Sequence, residues 1–212
     1  MKFIKQYKWL IPLISFTASL LLVRVAYTRS LTFAFVPWNL LLAVLPLYFS
    51  YQVNNKHGKT VKLILFCLWL LFFPNAMYII TDLFHLHERQ EIPQWYDLLI
   101  LFSAALNGVI MGMASLHGIE VLLLKAIKIK YVPVIIFLLF LLCGYGIYLG
   151  RYLRLNSWDI ITRPFLLLSD IRQDVIHPFR YSQSWMVSIL FATWLCILYK
   201  YFKKLGTQLA SQ

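Results

Sequence analysis

Charge is what this sequence has least of. Only 13% of its 212 residues are Asp, Glu, Lys or Arg, against about a quarter in a soluble domain. The deficit excludes an ordinary water-soluble enzyme, and it excludes a disordered chain, which needs high charge and few apolar residues. Acids are scarcest, with eight Asp and Glu against 20 Lys and Arg. Cysteine is close to absent. Cys67, Cys143 and Cys196 each lie inside an apolar run and form no Cys-x-x-Cys, so there is no disulfide framework and the thiols read as small packing residues. Tandem repeats, low-complexity stretches, glycine-rich phosphate loops, and Rossmann or Walker patterns are missing, as is any Ser-His-Asp or Cys-His set placed by sequence.

What fills the space is hydrocarbon. Hydrophobic residues make up 61% of the chain, and the mean hydropathy is +0.72. Six runs are long enough to cross a bilayer, which takes about 20 apolar residues as a helix: residues 8–26, 31–50, 62–81, 98–118, 132–150 and 183–201. The runs are continuous, without the inside–outside alternation of barrel strands. The expected fold is therefore all-α: a polytopic membrane protein, a bundle of six transmembrane helices forming one membrane domain over residues 1–212. The basic start, Lys2, Lys5 and Lys8 before an apolar run, has the shape of a signal peptide. Arg24 occupies one of the two small-residue positions that cleavage after Ala26 needs, so an uncleaved first span is expected.

The connecting segments alternate in chemistry. All twelve lysines fall in segments 1–8, 51–62, 123–131 and 200–212, and the other three segments carry or border all eight arginines. Positive residues stay on the cytoplasmic side, so the lysine segments and both termini are expected inside. Seven of the eight acids accompany the arginines outside. The net charge of +12 is spread in short clusters between spans. It suits lipid head groups and topology rather than nucleic acid. A bacterial cell (cytoplasmic) membrane is the expected location.

The last outer segment, from Arg151 to about Ser182, holds Phe165, Leu168, Ile171 and Val175 at helical spacing, with Thr162 placed to cap and Pro178 to stop. It predicts an amphipathic helix on the outer interface. Small residues four apart, Ala104, Gly108 and Gly112 on span four and Gly146 and Gly150 on span five, predict close packing of those two spans. Pro74 interrupts span three.

Polar residues gather at the outer ends of spans three, four and five. Span three closes with Pro74-Asn75-Ala-Met-Tyr78-Ile-Ile-Thr81-Asp82-Leu83-Phe-His85, and span five with Gly150-Arg151-Tyr-Leu-Arg154-Leu-Asn156-Ser157-Trp158-Asp159. From about Trp69 to Asp159, and more loosely elsewhere, the chain resembles the uncharacterised bacterial integral-membrane family called domain of unknown function 1361. The resemblance implies about six spans and an inner-membrane home. It implies no activity.

Chemistry must therefore be read from the residues. Asp82 and His85 are at i and i+3, a spacing that lets a carboxylate and an imidazole grip one metal. His87 and His177 are further metal-ligand candidates, and Asp97 joins Asp82 and His85 as a candidate catalytic residue. Such a set would suit zinc or another divalent metal, working hydrolytically on a lipid or envelope substrate. The competing reading pairs Asp82 with Arg151 or Arg154 as a structural clamp. Arg151 and Arg154 could hold phosphate bidentately, with Asn156, Asp159, Asn75 and Asn107 as further substrate-binding candidates. An anionic lipid head group or cell-envelope precursor is the natural ligand. Asn75 and Asn107 lie deep enough to serve as interhelical hydrogen bonders instead. His117 and Glu120 approach the inner interface, near Lys125. Three function classes stay open: an outward-facing site for an anionic substrate, a scaffold or accessory subunit with a structural polar cluster, and a small-molecule transporter. Few mid-membrane charges and a single interrupted span argue against the last.

Overall fold

The computed structural model describes residues 2–55, 57–87, 92–155, 162 and 164–210, except the side chains of residues 166, 167, 207, 209 and 210. The elements among the described residues are all helices. They are α1 (Lys2–Gln6), α2 (Ile11–Thr28), α3 (Phe35–Val53), α4 (Lys59–Tyr78), α5 (Gln94–Ala126), α6 (Val132–Tyr152), α7 (Pro164–Ile176) and α8 (Ser182–Ala210). Short 3₁₀ turns precede α2 and α6, and α4 runs on as a 3₁₀ segment, Ile79–His85.

Six of these stretches are long and apolar enough to cross a membrane: Lys8–Thr28, Phe35–Val53, Lys59–His85, Gln94–Ala126, Ile129–Tyr152 and Ser182–Gly206. Large apolar side chains such as Leu22, Val23, Leu63, Ile64, Leu142 and Leu190 point outward from them, an arrangement that suits lipid and not water. The chain is an all-α, polytopic membrane protein, as the six runs predict.

The boundaries depart from the sequence expectation in physical ways. The second span begins at Phe35 rather than at residue 31. Residues 32–34 form a turn that buries Phe33, so the loop after α2 is longer than Tyr27–Ser30. Span three does not stop at residue 81: the helix passes the internal Pro74 and tightens to 3₁₀ geometry up to His85. Span four extends beyond residues 98–118 at both ends. α7 forms where the periodicity places it and ends just before His177 and Pro178.

The chain packs as two compact units, Met1–Ile119 and Glu120–Gln212, the boundary falling inside α5. In the first unit α5 is the helix the others touch. Thr17 of α2 donates to Ser103 Oγ (2.9 Å), and Asn107 Nδ2 donates to Thr17 Oγ1 (2.9 Å) and the Leu13 carbonyl (3.2 Å). Ser50 of α3 donates to the Ser115 carbonyl (2.6 Å), and Trp69 Nε1 of α4 to Ser115 Oγ (3.3 Å). A Cβ on Gly108 would lie 2.5 Å from the Ala76 carbonyl oxygen, and one on Gly112 2.5 Å from the Met77 methyl. The glycine stripe of span four thus seats α4.

In the second unit α6 packs on α8. A Cβ on Gly144 would come within 2.6 Å of the Ser188 carbonyl oxygen. The close approaches of these glycines are therefore span four to span three and span five to span six. The sequence expectation set spans four and five against each other and named Gly146 and Gly150 on span five; it did not name Gly144. At the other end of α8, Glu120 is held by Tyr199 Oη (2.7 Å) and Lys203 Nζ (2.6 Å), two partners that the sequence expectation did not name.

Candidate functional site

The site begins at the end of the first unit where α2 and α4 exit and α5 starts. Arg24 lies one turn before the end of α2. Its Nε donates to Asp97 Oδ1 at 2.7 Å and its Nη2 to Asp97 Oδ2 at 3.3 Å. Asp97 stands in the first turn of α5, where the helix dipole favours an anion. Both side chains are 1% exposed. The Phe33 ring covers the guanidinium face, 4.5 Å from Cζ to the ring centroid, and this is what draws the α2–α3 loop inward. The buried Arg24 Nη1 finds no hydrogen-bond acceptor among the described residues.

Aromatic contacts lead on from there. Phe33 meets Phe35 edge-on at 5.7 Å, and the Phe35 ring lies 4.9 Å from the His85 ring. His85 Nδ1 is 3.3 Å from the Asp82 carbonyl oxygen. Asp82, also 1% exposed, accepts from Asn39 Nδ2 of α3 at 2.8 Å. One aromatic pair thus lies between the two buried carboxylates. In the 3₁₀ segment residues i and i+3 eclipse, so Asp82 and His85 do share a side. The contact at Nδ1, however, is to the backbone of Asp82, while its carboxylate turns to Asn39.

The expected residues distribute as follows. Asp82, His85 and Asp97 belong to this cluster. Asn107 belongs to the α2–α5 network, and Asn75 sits within α4 beside Pro74. His87 is exposed just past the 3₁₀ segment. Arg151, Arg154 and His177 belong to the second unit. Arg151 is half-buried at the end of α6. Arg154 is exposed and adopts a left-handed φ of 56°, while Leu155 N–H closes on the Leu149 carbonyl at 3.1 Å. Asn156 and Asp159 lie outside the described residues. Among the described residues, no three His, Cys, Asp or Glu side chains gather closely enough to hold a metal ion.

Sequence reasoning missed Arg24, Asn39, Phe33 and Phe35. A signal for Arg24 was present: a charge within an apolar run needs a partner, and Asp97 is an acid beside another run. Asn39 and the phenylalanines carry no comparable signal.

No curated protein and no solved structure matches this chain. One family model does match, over residues 38–198, which take in α3 through most of α8. The chain belongs to that family, DUF1361, whose description is protein of unknown function.

Proposed function

We propose that the protein is a membrane scaffold or accessory subunit of a bacterial cytoplasmic membrane, with both termini inside, and that its polar cluster ties helices together. One observation carries this reading: the Asp97 carboxylate is closed bidentately by Arg24 with both side chains out of solvent. A general base must reach the proton it abstracts, and a carboxylate held in this way is a poor candidate. Asn107 engaged by Thr17 and Leu13, and Glu120 by Tyr199 and Lys203, support the same reading. The segregation of lysine from arginine supports the orientation.

A second reading is favoured by Asp82 and His85 on one side of the 3₁₀ segment. It is an outward-facing site for an anionic lipid or envelope substrate, with metal-dependent hydrolysis or transfer. Elemental mass spectrometry on detergent-purified protein separates the two. The scaffold reading expects no transition metal in the wild type. Near-stoichiometric zinc that is lost in a monodisperse Asp82→Ala/His85→Ala variant would overturn it.

A further inference from the structure

α7 turns the pattern of a soluble amphipathic helix inside out. Its acid Asp174 is buried: Tyr145 Oη donates to Asp174 Oδ2 at 2.9 Å, and Trp185 Nε1 to the Asp174 carbonyl at 2.9 Å. At 3.6 residues per turn, Phe165, Leu168, Arg172 and Ile176 fall on the half of the helix away from Asp174. That half is open. Phe165 is 86% exposed, and Phe179, just beyond the helix, is 96% exposed. Phe165, Leu168, Ile176, Arg172 and His177 line a surface groove of about 550 Å3, which lies along the i, i+4 ridges of the helix.

Arg172 is the informative residue. Asp170 and Asp174, two positions away on either side, lie on the other side of the helix, and it forms no ion pair among the described residues. It stands instead among apolar side chains on the open half. An aliphatic stem along apolar surface with a free guanidinium at its tip is how arginine meets a bilayer interface. His177 adds a second donor in the same groove, and exposed Arg180 follows.

We propose that this groove binds an anionic phospholipid of the adjoining leaflet. Arg172 and His177 hold the phosphate, and Phe165, Leu168 and Ile176 lie against the glycerol and upper acyl region. Charge selects the occupant: a neutral lipid would leave Arg172 unused, and a free phosphate would leave the apolar wall in water. The apolar wall is also of a kind with the exposed Trp185, Met186 and Ile189 of α8, in the same unit. The proposal rests on the chain's being a membrane protein, and not on the scaffold reading.

The test is native mass spectrometry of the full-length protein titrated with phosphatidylglycerol or phosphatidylcholine. Tighter retention of phosphatidylglycerol is expected, weakened about tenfold by Arg172→Gln, weakened less by His177→Gln, and unchanged by Arg29→Gln, an exposed arginine just past α2 that does not line the groove. Equal retention of the two lipids overturns the proposal. So does an unchanged Arg172→Gln variant, or displacement of the lipid by millimolar inorganic phosphate. Should Arg172→Gln fail to stay monodisperse, Arg172→Lys keeps the charge and loses the two-pronged geometry. Weaker phosphatidylglycerol retention in that variant supports the site, and unchanged retention overturns it.

Discussion

Arg24 and Asp97, 73 positions apart in sequence, meet at 2.7 Å with 1% of either side chain exposed. A pair so placed joins the end of the first span to the start of the fourth. Its formation offsets a desolvation cost of several kcal/mol per ion. Removing one partner leaves that cost without compensation. Asp97→Ala is expected to lower stability by about 3–5 kcal/mol, and Arg24→Ala by a similar amount. Arg24→Lys keeps the charge but loses the two-pronged contact and the flat face against Phe33, so it should fall between Arg24→Ala and the wild type. Thermal unfolding in detergent measures all three. A melting temperature for Asp97→Ala equal to that of the wild type would sink the lock.

The glycines make a prediction with its own control. A methyl group on Gly144 would meet the Ser188 carbonyl oxygen at 2.6 Å and its Cα at 2.9 Å, both backbone atoms that cannot rotate away. α6 and α8 must then separate, at a cost of about 1–3 kcal/mol by the usual measure of overpacking. Gly206 of α8 has nothing within 4 Å of the same position. There an alanine should be neutral or slightly stabilising, because it removes chain entropy from the unfolded state. Gly144→Ala melting at or above Gly206→Ala would contradict the packing described.

The contrast explains which parts of the molecule could be read from its sequence. A span is a local property, a run of about 20 apolar residues, so six of them were visible, and so was α7 from the spacing of Phe165, Leu168, Ile171 and Val175. The small residues of span four were visible as well, because a period of four is also local. Their partners were not. Whether Gly108 meets span three or span five depends on the order of helices in the unit, and the membrane imposes no pattern that records that order. For the same reason Asp97 stood out as a charge while its partner did not. The start of α3 was misplaced because Phe33 is anchored by a cation–ring contact to Arg24, a tertiary interaction that overrides the hydropathy of Leu31–Ala34.

Orientation can be tested independently of any activity. Single cysteines at Lys59, in a lysine-rich segment, and at Arg180, in an arginine-bearing one, are made in a background with Cys67, Cys143 and Cys196 changed to alanine. They are then exposed in intact cells to a membrane-impermeant maleimide. Both termini inside predicts labelling at position 180 alone, with position 59 labelled only after the membrane is opened. The reverse pattern would invert the topology.

The two partners of Glu120 differ in burial, and so a ranking follows. Tyr199 is buried and donates to Oε2 at 2.7 Å, whereas Lys203 donates to Oε1 at 2.6 Å with 42% of its side chain exposed. Hydrogen bonds to a charged group contribute about 1.5–3 kcal/mol where water is excluded, and ion pairs near solvent about 0.2–1 kcal/mol. Tyr199→Phe, which keeps the ring against Phe140, is therefore expected to destabilise more than Lys203→Gln. Glu120→Ala, which opens a cavity and leaves the Tyr199 hydroxyl buried without its acceptor, is expected to destabilise most. Raising the salt concentration should weaken the contribution of Lys203 and leave that of Tyr199 nearly untouched, because screening reaches exposed charges first. Melting temperatures of the three variants at low and high salt decide the order. If Lys203→Gln proved the most damaging, the Glu120 lock would owe its strength to charge at the membrane surface rather than to the buried hydroxyl.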